Sequence, residues 1–249
     1  MSIDAIVLAG RENTGQLAMD SGEYLEANID IAGKPMVSYI LDALAAVPRV
    51  GRILLIGPRD GLSQYESDRV ILVEPGQSLF ENVRIGLGRV ETEFALICAS
   101  DIPLVTPKIL EDLLDRCLAS GADFCYPVSD RKDCDRMFPG VKRTYVTLKE
   151  GTYTGGNVFF VRKDVVENAW PMVEKMIAYR KKPVKMFGVL GVRLLLKFLL
   201  KKASVVELED RVRDLLGLDP KGILGASPEI GVDVDKPSDL ELCRRILAK

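Results

Sequence analysis

The chain has 249 residues, 47% of them hydrophobic, enough for one large domain or a domain with a sizeable insertion. Thirty-four basic against thirty-six acidic side chains leave a formal net charge of -2, with both signs scattered, so no global field selects a nucleic acid. There is no histidine, which removes imidazole acid/base chemistry, Ser/His and Cys/His dyads and His-containing zinc sites.

The first predicted element is a strand, DAIVLA, running into IVLAGRENTG (Ile6 to Gly15). Two glycines separated by four residues are P-loop spacing, but Gln16 and Leu17 follow where a P-loop has Lys and Ser or Thr. The connection from Gly10 to Asp30 reads as a long polar loop, and Pro35 as the first turn of the helix PMVSYILDALAAV. Strands RILLIG and RVILVE come next, then Glu74-Pro75-Gly76-Gln77-Ser78-Leu79, a turn entering a helix N-terminus and a candidate anion site. FALICAS, a helix capped by Thr106 with Pro107 at its first position, and ADFCYPV continue the alternation. Short continuous apolar runs mark strands buried on both faces, hence an α/β, Rossmann-like, mostly parallel sheet with helices on both sides.

A second polar loop is expected between Val128 and Arg143. From Asp164 to about Gly217 the pattern turns helical, an insertion before a strand-helix at about 222–249 that completes one domain. Residues 184–202 read as one apolar helix ending in Lys197, Lys201 and Lys202, packed on the core or in a homodimer, with weak membrane contact as the other use. The odd set of five cysteines without a CxxC pair, the lack of a leader pattern and of a run of about 18 apolar residues imply a cytoplasmic, reduced protein.

Ligands of open α/β sheets bind beyond the carboxyl ends of the strands, which singles out the residues there. Asp101 follows FALICAS, with Pro103 stiffening the exit. Asp233 and Asp235 sit two apart in IGVDVDKPSDL, on one face of an expected short strand, with Pro237 opening the last helix. Carboxylates at neighbouring strand ends suit a shared Mg²⁺.

The blocks LAG, AGKPMVSYILDAL, RILLIG, GQSLFENVRIGL, ASDIPLVTP, TYTGGNVFFV and VDVDKPSDLE resemble the nucleotidyltransferases related to molybdenum-cofactor guanylyltransferase, within the glycosyltransferase-A-like superfamily. The resemblance covers residues 3 to about 130 and 152–249. It implies transfer of a nucleoside monophosphate from an NTP, with GTP the reference nucleotide and base preference open, to a phosphorylated small-molecule acceptor with release of pyrophosphate. By the same resemblance Leu8, Ala9 and Gly10 line the nucleotide, and Gly76, Gln77, Ser78 and Leu79 flank base and ribose. Asp101 and Asp235 bind Mg²⁺, with Asp233 beside them, and Gly155, Gly156 and Asn157 lie at the acceptor. The first loop departs from the family: Arg11 replaces a second glycine, and Glu26 falls where a triphosphate-neutralising lysine belongs. Arg11 and Lys34 are the substitute cations. A degenerate member that binds a nucleotide or nucleotide-sugar without catalysis, and a nucleotide-sugar glycosyltransferase, remain the alternatives.

Overall fold

Each apolar run of the first half becomes a strand or the helix beside it in the computed structural model, which describes residues 1–14, 16–166, 170–179 and 181–248. In chain order the elements are β1 (Ile3–Leu8), α1 (Gln16–Ser21), β2 (Asp30–Ile31), β3 (Lys34–Pro35), α2 (Met36–Ala46), β4 (Val50–Ile56), α3 (Arg59–Leu62), β5 (Val70–Val73), α4 (Leu79–Arg89) and β6 (Phe94–Ala99). Then come α5 (Pro107–Ser120), β7 (Phe124–Asp130), α6 (Arg131–Met137), β8 (Val146–Thr147), β9 (Thr152–Gly155), β10 (Val158–Arg162), α7 (Lys163–Val166) and α8 (Trp170–Tyr179). The chain closes with α9 (Pro183–Leu190), α10 (Val192–Leu199), α11 (Val205–Leu216), β11 (Pro220–Leu224) and α12 (Pro237–Leu247).

Nine strands form one sheet in the order β5-β4-β1-β6-β10-β7-β9-β8, with β11 added on β7, and β2 and β3 pair separately. β5, β4, β1 and β6 are parallel neighbours, and the antiparallel pairings come from β9 and β10. The sheet is thus mostly parallel, and helices cover both faces. On one face Val7, Leu55 and Leu96 pack with Ile40 and Leu44 of α2 and Leu110 and Leu114 of α5. On the other Ile6, Leu54 and Ile97 meet Val83 and Leu87 of α4 and the partly buried Trp170, Val173 and Ile177 of α8. Alternate residues of β1 therefore serve opposite layers, which is why its sequence is apolar throughout. Gly86 lets α4 settle on β1, since a Cβ there would stand 2.8 Å from Cγ2 of Ile6.

The helix ends follow their sequence signals. Thr106 caps α5 through Ile109 N, with Pro107 in the first turn, and Gly121 closes it at φ 67°. Ser204 and Glu207 form a reciprocal capping box on α11. Pro35 departs from expectation: it precedes α2 as the last residue of β3. The AGK turn before it is a two-residue hairpin, with Ala32 and Gly33 both at positive φ (55° and 83°) and Gly33 N bonded to Asp30 Oδ1.

Both expected loops contain helices. The segment after Gly10 closes on itself through a Glu12–Leu25 bridge and the bond from Asn13 N to Tyr24 O, with α1 inside the excursion. The stretch from Val128 to Arg143 holds the end of β7 and α6, whose polar face carries Arg131–Asp135 and Arg136–Asp133 pairs. Residues 184–202 are two helices rather than one. Gly191, at φ 112°, breaks them apart and lets Phe187 stack on Phe198 at 4.0 Å. With α11 they cover Leu148 and Tyr153 beside the β8–β9 edge. Glu167, Asn168, Ala169 and Arg180 of the expected helical insertion lie outside the described residues.

Candidate active site

The sheet register brings several loop beginnings to one edge. Leu8 pairs with Ile56 on one side and Ala99 on the other, and Ile56 pairs with Val73. Gly10, Gly57, Pro75 and Asp101 therefore leave the sheet at the same level. β10 runs the opposite way, so its start lies there too: Val158 pairs with Cys98, and Ala99 N bonds Asn157 O.

Gly10 sits in a tight approach of loops. A Cβ would lie 3.4 Å from Gly57 Cα and 3.6 Å from Pro75 Cβ. Leu8 ends β1, and Ala9 is fully buried with its N–H on Ile56 O. The Gly76–Leu79 turn is less open than a bare helix N-terminus. Gly76 N bonds Asn82 Oδ1, Gln77 N bonds Glu81 Oε2 at 2.6 Å, and Ser78 caps α4 through Glu81 N. The chain thus supplies its own acceptors for two N–H groups that an anion would otherwise have to compete for.

Three carboxylates converge beyond β6. Asp101, Asp233 and Asp235 each present an oxygen within 4.8 Å of the others. The expected strand carrying the last two is absent, since residues 232–235 form an extended segment outside the sheet. Its alternation is nevertheless kept: Val232 and Val234 are buried in the core, which turns Asp233 and Asp235 to the other side. The bond from Val234 N to Asp101 O at 3.0 Å fixes this segment against the exit of β6. Asp235 N also meets Asp239 Oδ2, at 3.4 Å, in the first turn of α12.

The charges in this cluster are unequal. Burial, and behind it the charges of Asp233 and Asp235, pushes the Asp101 carboxyl up to about 7. Burial and the neighbouring Asp235 raise Asp233 as well. Asp235 is also penalised by burial, but bonds from Lys181 and Arg11 outweigh that and hold it down at about 2. Asp101 Oδ1 is buried without a hydrogen-bond partner among the described residues. An orphaned carboxylate oxygen facing two further carboxylates fits a hard divalent cation, which takes oxygen donors.

Arg11, one of the two expected cations, lies within this cluster. Its Nη1 is 2.8 Å from Asp235 Oδ1 and its Nε 3.2 Å from Glu26 Oε1. Glu26 is only 3% exposed, so it faces the guanidinium and not open solvent. Lys34 does not join them. Its ammonium pairs with Asp42 at 2.5 Å and lies 4.5 Å from the centre of the Tyr39 ring, both on α2, the helix that follows the hairpin.

Lys181 is the residue that sequence motifs miss. Its Nζ is 2.8 Å from Asp235 Oδ2 and 3.9 Å from Asp233 Oδ2. It comes from the helical segment, 54 residues from its partner, with only a run of three basic residues before Pro183 to mark it. Among the residues expected at the acceptor, Gly156 N bonds Pro127 O and Asn157 N bonds Ile230 O, both at 2.9 Å. A Cβ on Gly155 would collide with the Tyr126 hydroxyl, and one on Gly156 with Ile230 Cγ2 at 2.5 Å. Both positions need glycine for packing, and Asn157 ties β6 to the segment leading to Asp233.

The model of the MobA-like NTP transferase domain family matches residues 6–192. The chain belongs to this family. The match continues through residues 131–151, which the motif blocks leave out, and into α10. A probable molybdenum cofactor guanylyltransferase of Thermococcus gammatolerans is 27% identical over 104 residues, 39% of this chain and 50% of that protein. The chain spans about half the length of the curated relatives it matches. A solved structure described as a hypothetical transferase from Thermus thermophilus is similar over 96% of this chain and 100% of its own, at 33% identity and a TM-score of 0.84. The 4-diphosphocytidyl-2C-methyl-D-erythritol synthase of Anaerococcus prevotii shares the fold over 100% of this chain and 96% of its own, at 14% identity and a TM-score of 0.61.

Proposed function

We propose that this MobA-like NTP transferase moves a nucleoside monophosphate from an NTP to a phosphorylated small-molecule acceptor, in the cytoplasm and with Mg²⁺. An acceptor phosphate oxygen bonds to the α-phosphorus, the bond from that phosphorus to the bridging oxygen breaks, and pyrophosphate leaves with the electron pair. The observation that carries the reading is the convergence of Asp101, Asp233 and Asp235, with one buried Asp101 oxygen unpartnered among the described residues. These side chains would hold the cation, whose chemistry is to neutralise charge on the phosphates as the leaving group forms.

The remaining roles belong to the chain's own groups. Gly10 gives the nucleotide close access to the strand ends, as a residue without Cβ can. Arg11 and Lys181 already hold positive charge at the site, on Asp235, and would exchange that carboxylate for phosphate oxygens when the NTP arrives. Gly156 and Asn157 stand where the acceptor would lie. No proton transfer from an imidazole is required, because a phosphate nucleophile is already anionic. The five cysteines, all buried and unbridged, accord with a reducing compartment.

A second reading is retained because Asp235 is already engaged by two cations: a member of the family that binds a nucleotide or nucleotide-sugar without turnover. Pyrophosphate release from GTP, CTP, ATP or UTP, with Mg²⁺ and a panel of phosphorylated acceptors, separates the two. Release dependent on Asp101 supports transfer. A thermal shift with nucleotide but no pyrophosphate supports the binder, and no shift with any NTP overturns both.

A further inference from the structure

The helical segment between β10 and β11 has two apolar faces where a globular helix needs one. On α10, Leu194 is buried and Leu195 and Phe198 pack inward with Phe187 and Leu190. The opposite side carries Val192 (71% exposed), Leu196 (55%), Leu199 (58%) and Leu200 (65%). Spacings of three and four place these residues in one stripe along the helix.

Along the segment that carries the stripe the charge is of one sign. Residues 175–202 contain nine basic and no acidic side chain, in a chain whose net charge is -2. Arg193, Lys201 and Lys202 are exposed at the two ends of the stripe, whereas Lys197 is taken up by an ion pair with Glu207. Lys201 holds a φ of 56°, where glycine would sit without strain, so the helix ends on two adjacent lysines. Long cationic side chains beside apolar ones can bury their stems and keep their heads at a charged surface. No described helix is long and apolar enough to cross a membrane.

We infer that α10 docks the protein on an anionic lipid bilayer, with Val192, Leu196, Leu199 and Leu200 entering the headgroup boundary and Arg193, Lys201 and Lys202 meeting lipid phosphates. Charge complementarity selects this occupant. A second copy bound face to face through a twofold axis would set the same cations against one another. Lys181, which reaches Asp235, belongs to the same basic segment of the chain.

The test is cosedimentation of the full chain, without nucleotide or metal, with vesicles of phosphatidylcholine alone and of phosphatidylcholine with 30% phosphatidylglycerol. Binding is expected to the anionic vesicles only and to weaken with salt. Lys201→Glu with Lys202→Glu should lower the partition coefficient by ~30-fold or more. Leu196→Glu with Leu199→Glu should abolish binding while the melting temperature stays near that of the wild type. Absence of binding to anionic vesicles at low ionic strength overturns the proposal, as does equal binding to neutral ones or wild-type binding by either variant. A concentration-dependent dimer in analytical ultracentrifugation that Leu196→Glu dissolves would assign the stripe to a second copy instead. Because no nucleotide is present, the outcome is independent of the transferase chemistry.

Discussion

Glu26 and Arg11 form a pair in which the acid is buried and the base reaches onward: Nε stands 3.2 Å from Glu26 Oε1, while Nη1 of the same guanidinium lies 2.8 Å from Asp235. Burial raises Glu26, and Arg11 only partly offsets it. The residue that looks repulsive to a triphosphate in the sequence thus anchors Arg11, the cation proposed to take over from the family's lysine. Glu26→Lys alone should fail, because it sets a second buried cation against Arg11, at a cost of about 2–4 kcal/mol. Glu26→Lys combined with Arg11→Gly should recover much of that loss. Urea unfolding of the two single variants and the double variant reads the coupling, and simple additivity would refute it.

Asp101→Asn should separate stability from function. The carboxyl is held up at about 7 by burial and by Asp233 and Asp235, so an uncharged amide removes a penalty in the metal-free protein. The melting temperature without metal should stay level or rise, while pyrophosphate release falls by at least about 100-fold and the Mg²⁺-dependent thermal shift disappears. A variant that melts lower and keeps its turnover would contradict this.

Lys181 occupies the carboxylates that the cation would use. Lys181→Ala should therefore tighten Mg²⁺ binding in the absence of nucleotide, read by calorimetry, and at the same time raise the KM for NTP by about tenfold, one charged contact's worth. Weaker metal binding in the variant would place Lys181 outside the site.

Acid sensitivity should centre on Asp4, far from the site. Burial resists its charge, but Arg52 at 2.6 Å and the N–H of Glu91 at 2.9 Å outweigh that and hold its carboxyl below the usual range. A lowered carboxylate stabilises the fold fully above its unfolded value, and the contribution is lost as pH falls through the folded value. Asp4→Asn should lower stability by about 3 kcal/mol at pH 7. The deficit should shrink as pH falls from the unfolded-state value through the lowered folded one, as urea unfolding across an acid pH series will show.

Gly86→Leu should destabilise the protein by about 1–3 kcal/mol, because the new side chain would be driven into Ile6 at the α4–β1 contact. Gly88→Leu, two residues along the same helix and with open space around it, is the control and should be close to neutral by thermal melting.

How far the sequence alone carries can be judged from particular residues. Apolar runs such as IVL and LLI are readable because a strand buried on both faces must be hydrophobic at every position, and Thr106, Pro107 and Pro237 mark helix starts through local backbone chemistry. Asp101 and Asp235 stand out because strand ends are where such sheets bind ligands. By contrast, the strand expected for Asp233 and Asp235 is missing because pairing depends on a neighbouring strand edge, which no alternation of residue types can supply.

Charge meaning was decided only in three dimensions. Lys34 and Arg11 are equivalent as sequence candidates, yet one is held by Asp42 on the helix that follows it and the other by Glu26 and Asp235 across the site. Lys181 has no motif at all, since an ion pair spanning 54 residues leaves no local pattern. The sequence by itself determined the layered sheet, the helix ends and the placement of Asp101 at the exit of β6, because those follow from burial period and local backbone preference. Only the tertiary structure decided which cations face those acids and which apolar stripe is left uncovered, because both are set by the distances that packing creates between remote parts of the chain.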